Sequence, residues 1–245
     1  MKGTLFSDGV EVQLLVNGES WRQGDGLSGS IQITNHNGED LNGEGFGVTL
    51  AYARFKDLKK KADSFAILDE FKMDTKKSES LNWSFQLEEN CPITDKVGSF
   101  YLLFGKKTDY LKGGQLQLNI LPHLLVQDFC NIFQTFFRFK LKETKSKKNS
   151  IEMKFIAPKT KEYGMIDSLS LFFSTTGENL ALKYIYNVQK LDYGVNGVKA
   201  TKAKVECSQE LSPKEYSSFG DSLDQDKVIA VIKDSLKSVK DKRFT

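Results

Sequence analysis

Histidine is nearly missing from this chain: only His36 and His123 stand in 245 residues. Neither fits the spacing of an H-E-x-x-H metal site, and two isolated imidazoles leave little material for a nucleophile triad. Cysteine is also scarce. Cys91, Cys130 and Cys207 are odd in number and form no C-x-x-C pair. They read as reduced, buried thiols and not as a disulfide framework or a zinc site. No run approaches the roughly 18 apolar residues that span a bilayer. The opening MKGTLFSDGV carries one lysine and no apolar core, so it does not read as a secretory signal, and a cytoplasmic location is expected. No G-x-x-x-x-G-K-[ST] phosphate loop occurs. Asp69 and Glu70 are adjacent on a candidate strand and so point to opposite faces, a poor arrangement for a shared acid pair. The expectation is a protein without catalytic residues, metal or cofactor.

What is present is a globular composition: 39% hydrophobic, 27% charged and 11% aromatic, with a net charge of +3. That charge is too small to imply nucleic-acid binding, and no nucleic acid is expected as a partner. It is unevenly spread. Lys and Arg number 14 against 17 Asp and Glu in residues 1–123, and 21 against 15 in residues 124–245.

Alternation of period two dominates the first half. It runs through VEVQLLV at 10–16, SGSIQIT at 28–34, GFGVTLAYARF at 45–55 and SFAILDEFKM at 64–73. LNWSFQL at 81–87, GSFYLLFG at 98–105 and Leu116, Leu118 and Ile120 complete seven candidate strands. Turn-rich segments separate them, the pattern of a β-sandwich. The corner SWRQGDGLSGSIQI at 20–33 is one such turn. Gly24 and Gly26 suit its sharp bend, and Gly29 suits close packing or a bulge in the strand that follows.

The rhythm changes after Pro122. Leu125, Phe129, Ile132, Phe133 and Phe136 fall on one helical stripe, which predicts an amphipathic helix wedged between two domains. Alternation then resumes through Phe137–Leu141, Ile151–Phe155, Leu169–Phe173, Leu182–Val188 and Val198–Cys207, predicting a second, smaller sandwich. Near the end, Asp224 or Asp226 caps a helix with the stripe Val228, Val231, Ile232, Leu236 and Val239. The expected division is therefore residues 1–122, a connecting helix at 123–136, and residues 137–245.

Two β-sandwiches joined by a short helix and lacking a catalytic set resemble the arrestin fold. The segment from Trp21 to Ile33 is similar to an arrestin-family corner, with Gln23 in place of a proline and Asp25 in place of a glutamate. LNWSFQLEENCPIT resembles a second family pattern, keeping Phe85, Leu87, Pro92, Ile93 and Thr94 but carrying Glu88 for proline. Within that group the chain looks most like the bacterial sporulation-control family of the stage-zero M type. The features shared there are Leu121-Pro122-His123 before the helix, FFRFKLKET, the segment Ile166–Phe173, and ALKYIYNV. The likeness covers roughly residues 8–190. It implies an all-β architecture of two arrestin-like sandwiches and a regulatory or scaffold protein acting through protein contacts. The lysine pair with which arrestins proper sense phosphate has no counterpart in VEVQLLV, so that mechanism does not carry over.

The residues expected to touch a partner protein are Lys59, Lys60 and Lys61, then Lys145, Lys147 and Lys148, and the helical stripe Val228, Ile232 and Leu236, whose helix is otherwise expected to cover its own domain's sheet. A second copy of the chain is one expected partner, and a weak contact of the basic helix with an anionic membrane is another. The alternative reading is a carbohydrate- or membrane-binding sandwich in which Trp21 and Tyr110 stack on sugars.

Overall fold

The computed structural model describes residues 1–37, 41, 45–61, 63–74, 78–108, 110–194, 197–218 and 223–241, with backbone alone at 110, 191–194, 197–200 and 240–241. The chain divides into two compact units, Met1–Leu121 and Pro122–Thr245.

The first unit is a sandwich of two four-stranded antiparallel sheets. One has the order β1 (Lys2–Ser7), β2 (Val10–Val16), β4 (Gly26–Asn35), β7 (Glu79–Gln86). The other has the order β6 (Ala66–Asp74), β5 (Gly45–Arg54), β8 (Gly98–Lys106), β9 (Gly114–Gln117). Alternation fixes which side chains turn inward. Val10, Val12, Leu14 and Val16 meet Leu27, Ile31, Ile33, Phe46, Val48, Leu50, Phe100, Leu102 and Phe104 in one core. Each such fully buried side chain contributes about 2–3 kcal/mol of transfer free energy.

Strand β8 departs from simple alternation, because its residues from Gly98 to Gly105 are all buried. Its outward Tyr101 and Leu103 sit under Phe55, Leu58 and Phe65, so this sheet has a small second core on its other face. The cover comes from the single-turn helix α1 (Phe55–Leu58) and the segment joining it to β6.

The corner at Trp21 is built by main-chain contacts. β3 (Trp21–Arg22) runs parallel to β10 (Ile120–Leu121). The Asp25 carboxylate accepts from the Arg22 backbone N–H at 2.7 Å, and Gly24 takes φ +85°. Trp21 and Gln23 are both buried, and the Gln23 amide donates to the Cys91 carbonyl. The position where the resemblance expects proline thus holds a side chain that satisfies a buried carbonyl.

In the second unit the strands β11 (Lys140–Lys147), β12 (Ser150–Ile156), β13 (Ile166–Thr176), β14 (Asn179–Gly194) and β15 (Gly197–Leu211) form one antiparallel meander. The layer facing it is helical. Helix α2 (Leu124–Thr135) sets Phe129 against Phe173 at 5.5 Å and Phe133 against Phe155 at 5.0 Å between ring centroids. After the short helix α3 (Pro213–Tyr216), helix α4 (Gln225–Asp241) joins the same face. Its buried Ser235 lies 2.6 Å from the Tyr186 hydroxyl. Among the described residues all five strands belong to one sheet, and the second sheet expected here is replaced by these helices. The Phe stripe of α2 is accordingly part of this unit's own core.

Candidate interaction surfaces

The expected contact residues separate into three situations. Val228 and Ile232 are fully buried, and Leu236 nearly so. This corrects their expected role as partner contacts: the stripe packs inside the second unit, because the sheet's apolar face needs a cover. The same burial removes the apolar side that a membrane-lying helix presents. Asp224 is the cap, its carboxylate accepting from the backbone N–H groups of Asp226 and Lys227 at 3.1 and 3.2 Å.

Lys59, Lys60 and Lys61 are exposed at the end of α1, in the connection between β5 and β6. Their backbone N–H groups close the turn on the carbonyls of Phe55 and Asp57. Lys61 lies 3.4 Å from Asp63, an exposed pair of small energetic weight.

Lys145, Lys147 and Lys148 lie on one hairpin with different surroundings. Lys147 pairs with Ser150 and Lys145 with Glu152 across β11 and β12, and the turn between them is Lys148-Asn149, with Asn149 at φ +54°. The Glu152 carboxylate, 6% exposed, is approached by Lys147 at 3.4 Å, Lys145 at 3.5 Å and Lys154 at 3.7 Å. Burial works against its ionisation, but Lys145, Lys154, the Ser170 hydroxyl and Lys147 outweigh it, so the carboxyl titrates below the ordinary value of 4.5. Lys145 and Lys147 therefore neutralise a buried charge of their own sheet.

A pH dependence follows. A carboxyl with a depressed folded pKa contributes its stability fully above the unfolded value, and loses it as pH falls through the folded value. Glu152→Gln is expected to lower the urea midpoint at about pH 7 and to lower it less at about pH 3, the deficit shrinking as pH falls below the unfolded value. Equal destabilisation at both values would show that the lysine contacts are not the cause.

Lys148 instead lines an open groove of about 710 Å³ on the outer face of β12–β15. Phe172, Ala181 and Ile185 supply its apolar lining, and Ser150, Ser174, Lys183, Ser208 and Glu210 its polar lining. Phe172 and Ile185 fall on the phase opposite to the buried residues Leu171, Phe173, Tyr184 and Tyr186. Apolar residues on the solvent phase of two adjacent strands are the signal of this surface. A second, more polar depression of about 560 Å³ lies in the first unit, lined by Leu15, Asn17, Ser30, Phe71, Asn82 and Trp83 among others.

The residues weighed for chemistry are dispersed. The exposed His36 stands 3.3 Å from Glu11, and the His123 ring accepts from the Leu125 backbone N–H at the start of α2. Burial pushes the Cys91 thiol up to about 12 and the Cys130 thiol up to about 11, so neither is a ready thiolate. Among the described residues no cluster of three His, Cys, Asp or Glu is placed to hold a metal ion. No described helix is long and apolar enough to cross a membrane. Trp21 is buried at its corner, which takes away its stacking face for a sugar; the side chain of Tyr110 lies outside the described residues.

Neither a protein-family model nor a curated protein sequence matches this chain. Among solved structures it is similar to Spo0M, the sporulation control protein from Bacillus subtilis, with a TM-score of 0.58 and 12% identity over 94% of this chain and 99% of that one. A further match, to E. coli alpha-2-macroglobulin, has a TM-score of 0.28 and 10% identity over 84% of this chain and 14% of that one, too slight a likeness to bear on the fold. The extent of that first match shows that this chain has a Spo0M-like arrestin fold.

Proposed function

We propose that this chain is a non-catalytic regulatory or scaffold protein that binds a segment of a partner protein in the outer-face groove of its second unit. The observation that carries this reading is the groove itself. It is open, it is built on a sheet, and it sets the apolar side chains of Phe172, Ala181 and Ile185 around Lys183, with Lys148 and Glu210 in the same lining. An enclosed pocket suits a small molecule, whereas an open surface that mixes apolar and charged side chains suits a peptide segment whose apolar side chains anchor it. The likeness to a sporulation control protein is in keeping with regulation through contacts, and it supplies no partner. A cytoplasmic setting is part of the same proposal.

The test compares proteins captured from the native host by the parent chain and by Phe172→Asp, each identified by mass spectrometry. A specific protein held by the parent and weakened about tenfold or more by the substitution is the expected result. An undiminished set of captured proteins, with the variant folded by circular dichroism, would remove the groove from the function.

A further inference from the structure

The two outer edges of the five-stranded sheet are not alike. β11 is interrupted by a bulge between Leu141 and Glu143, a device that bends an edge away from pairing. β15 has no such break. It pairs with β14 in continuous register from Leu180↔Leu211 to Gly194↔Gly197, and among the described residues no strand lies on its other side. An edge of 15 residues without a bulge is a template for another strand.

The charges along β15 say which strand. Lys202 and Lys204 lie in its N-terminal half, and Glu206 and Glu210 in its C-terminal half; all four are exposed. Lysines on an edge ordinarily repel an incoming strand. A second copy arriving antiparallel brings its acidic half opposite this basic half, so the pattern is complementary to itself under a two-fold axis. Centring the pairing on Lys204 or on Glu206 sets that residue against its own copy, a like-charged pair beside two opposite-charged ones, and centring it on Cys207 pairs Lys204 with Glu210 but overlaps only residues 203–211 of the strand. Centring it on Val205 sets Lys204 opposite Glu206 twice, keeps Val205 beside its own copy, and places Ala203 opposite Cys207. Glu206 already meets Lys183 of the neighbouring strand at 2.9 Å, so the new lysine completes a cross-sheet row of alternating charge.

We infer that β15 is a homodimer edge, joining two copies through an antiparallel β15–β15 ladder centred on Val205 into one ten-stranded sheet. Ser208, Gln209 and Glu210 of the same strand also line the outer-face groove, so the two grooves of a dimer lie on one continuous face. A partner with two binding segments then engages both with an affinity above that of either. The dimer itself does not depend on the groove being a binding site.

Sedimentation equilibrium on the full chain tests the ladder. The parent chain is expected to be dimeric, and more weakly so at high salt. Lys204→Glu is expected to weaken the dimer by about tenfold or more, and the triple exchange Lys183→Glu/Lys204→Glu/Glu206→Lys, which keeps the Lys183–Glu206 pair with its signs reversed, to restore it. As an independent readout, Ala203→Cys is expected to give an oxidised covalent dimer through the native Cys207, which the parent chain does not form. A monomeric parent chain, a triple exchange as weak as Lys204→Glu alone, or no covalent dimer from Ala203→Cys would each overturn the proposal.

Discussion

Phe133→Ala is expected to destabilise the second unit by about 3–5 kcal/mol, a large share of the 5–15 kcal/mol typical of a folded domain. Phe133 is fully buried, stacked on Phe155 at 5.0 Å and flanked by Phe139 at 5.8 Å and Phe137 at 5.9 Å. Removing the ring deletes contacts to all three and leaves a space that none of these rigid rings fills by changing rotamer. The Phe139 backbone N–H also donates to the Phe133 carbonyl at 3.0 Å, so the chain turning from α2 toward β11 is tied to the helix at this residue. Phe136, on the same helix end but 54% exposed, provides the contrast: Phe136→Ala should change stability by no more than about 0.5 kcal/mol. Urea unfolding followed by far-ultraviolet circular dichroism separates the two. If Phe133→Ala behaves like Phe136→Ala, helix α2 is not part of the second unit's core.

The sequence announces strands better than it announces layers. Each of the seven strands expected in the first half has a counterpart; burial on one face leaves the period of two in β2, β4 and β7, whereas β5 and β8 are buried on both faces and β6 is mostly exposed. Strand β1 was hidden, since its residues are mostly exposed and Phe6 points to solvent. Its signal was the Asp8-Gly9 pair, both at positive φ, which turns the chain between β1 and β2. In the second half four of the five strands are legible, while β11 runs at Lys140–Lys147, into the lysine-rich segment that reads as an exposed hairpin loop after a strand at Phe137–Leu141; and periodicity does not say what covers a sheet. The evidence for a helical layer was the two apolar stripes, at Phe129 and Phe133 and at Val228, Ile232 and Leu236. The first stripe reads from sequence as a link between domains, and the second reads equally as a cover for its own sheet or as a docking face; burial of Val228, Ile232 and Leu236 decides for the cover.

The same holds for the surfaces. A lysine-rich hairpin is visible in KETKSKKNSIE, and a two-residue turn at Lys148-Asn149 suffices to place Glu152 opposite Lys145. Reading the register would have shown two of the three lysines facing a carboxylate. The groove was encoded in Leu171-Phe172-Phe173 and Tyr184-Ile185-Tyr186, where an apolar residue occupies the phase that alternation gives to solvent. No residue type there is chemically special, so a search for catalytic or metal-binding sets passes over it.

Gly29→Ala is expected to cost the first unit about 3 kcal/mol or more, although it adds a single methyl group in the middle of a strand. Gly29 lies in β4 between Val16 of β2 and Trp83 of β7, in unbroken register on both sides. A Cβ built there stands 2.0 Å from the Leu15 carbonyl oxygen and 2.6 Å from the Trp83 indole. The first obstacle is backbone, so it yields only if β2 and β4 move apart. The second is a buried ring with Phe85 at 5.4 Å between centroids. Of the two roles open to this glycine, close packing and a bulge, the structure shows close packing. Gly26→Ala is the matched control, because its Cβ meets only the Gln86 side chain at 3.7 Å, an ordinary contact. Both tryptophans of the chain, Trp21 and Trp83, lie in the first unit, so their fluorescence follows its unfolding directly. The double variant Gly29→Ala/Trp83→Leu separates the two obstacles. It should remain destabilised, since shortening the indole leaves the carbonyl in place. Recovery to the stability of Trp83→Leu alone would show that the indole, not the approach of β2 to β4, makes glycine necessary at this position.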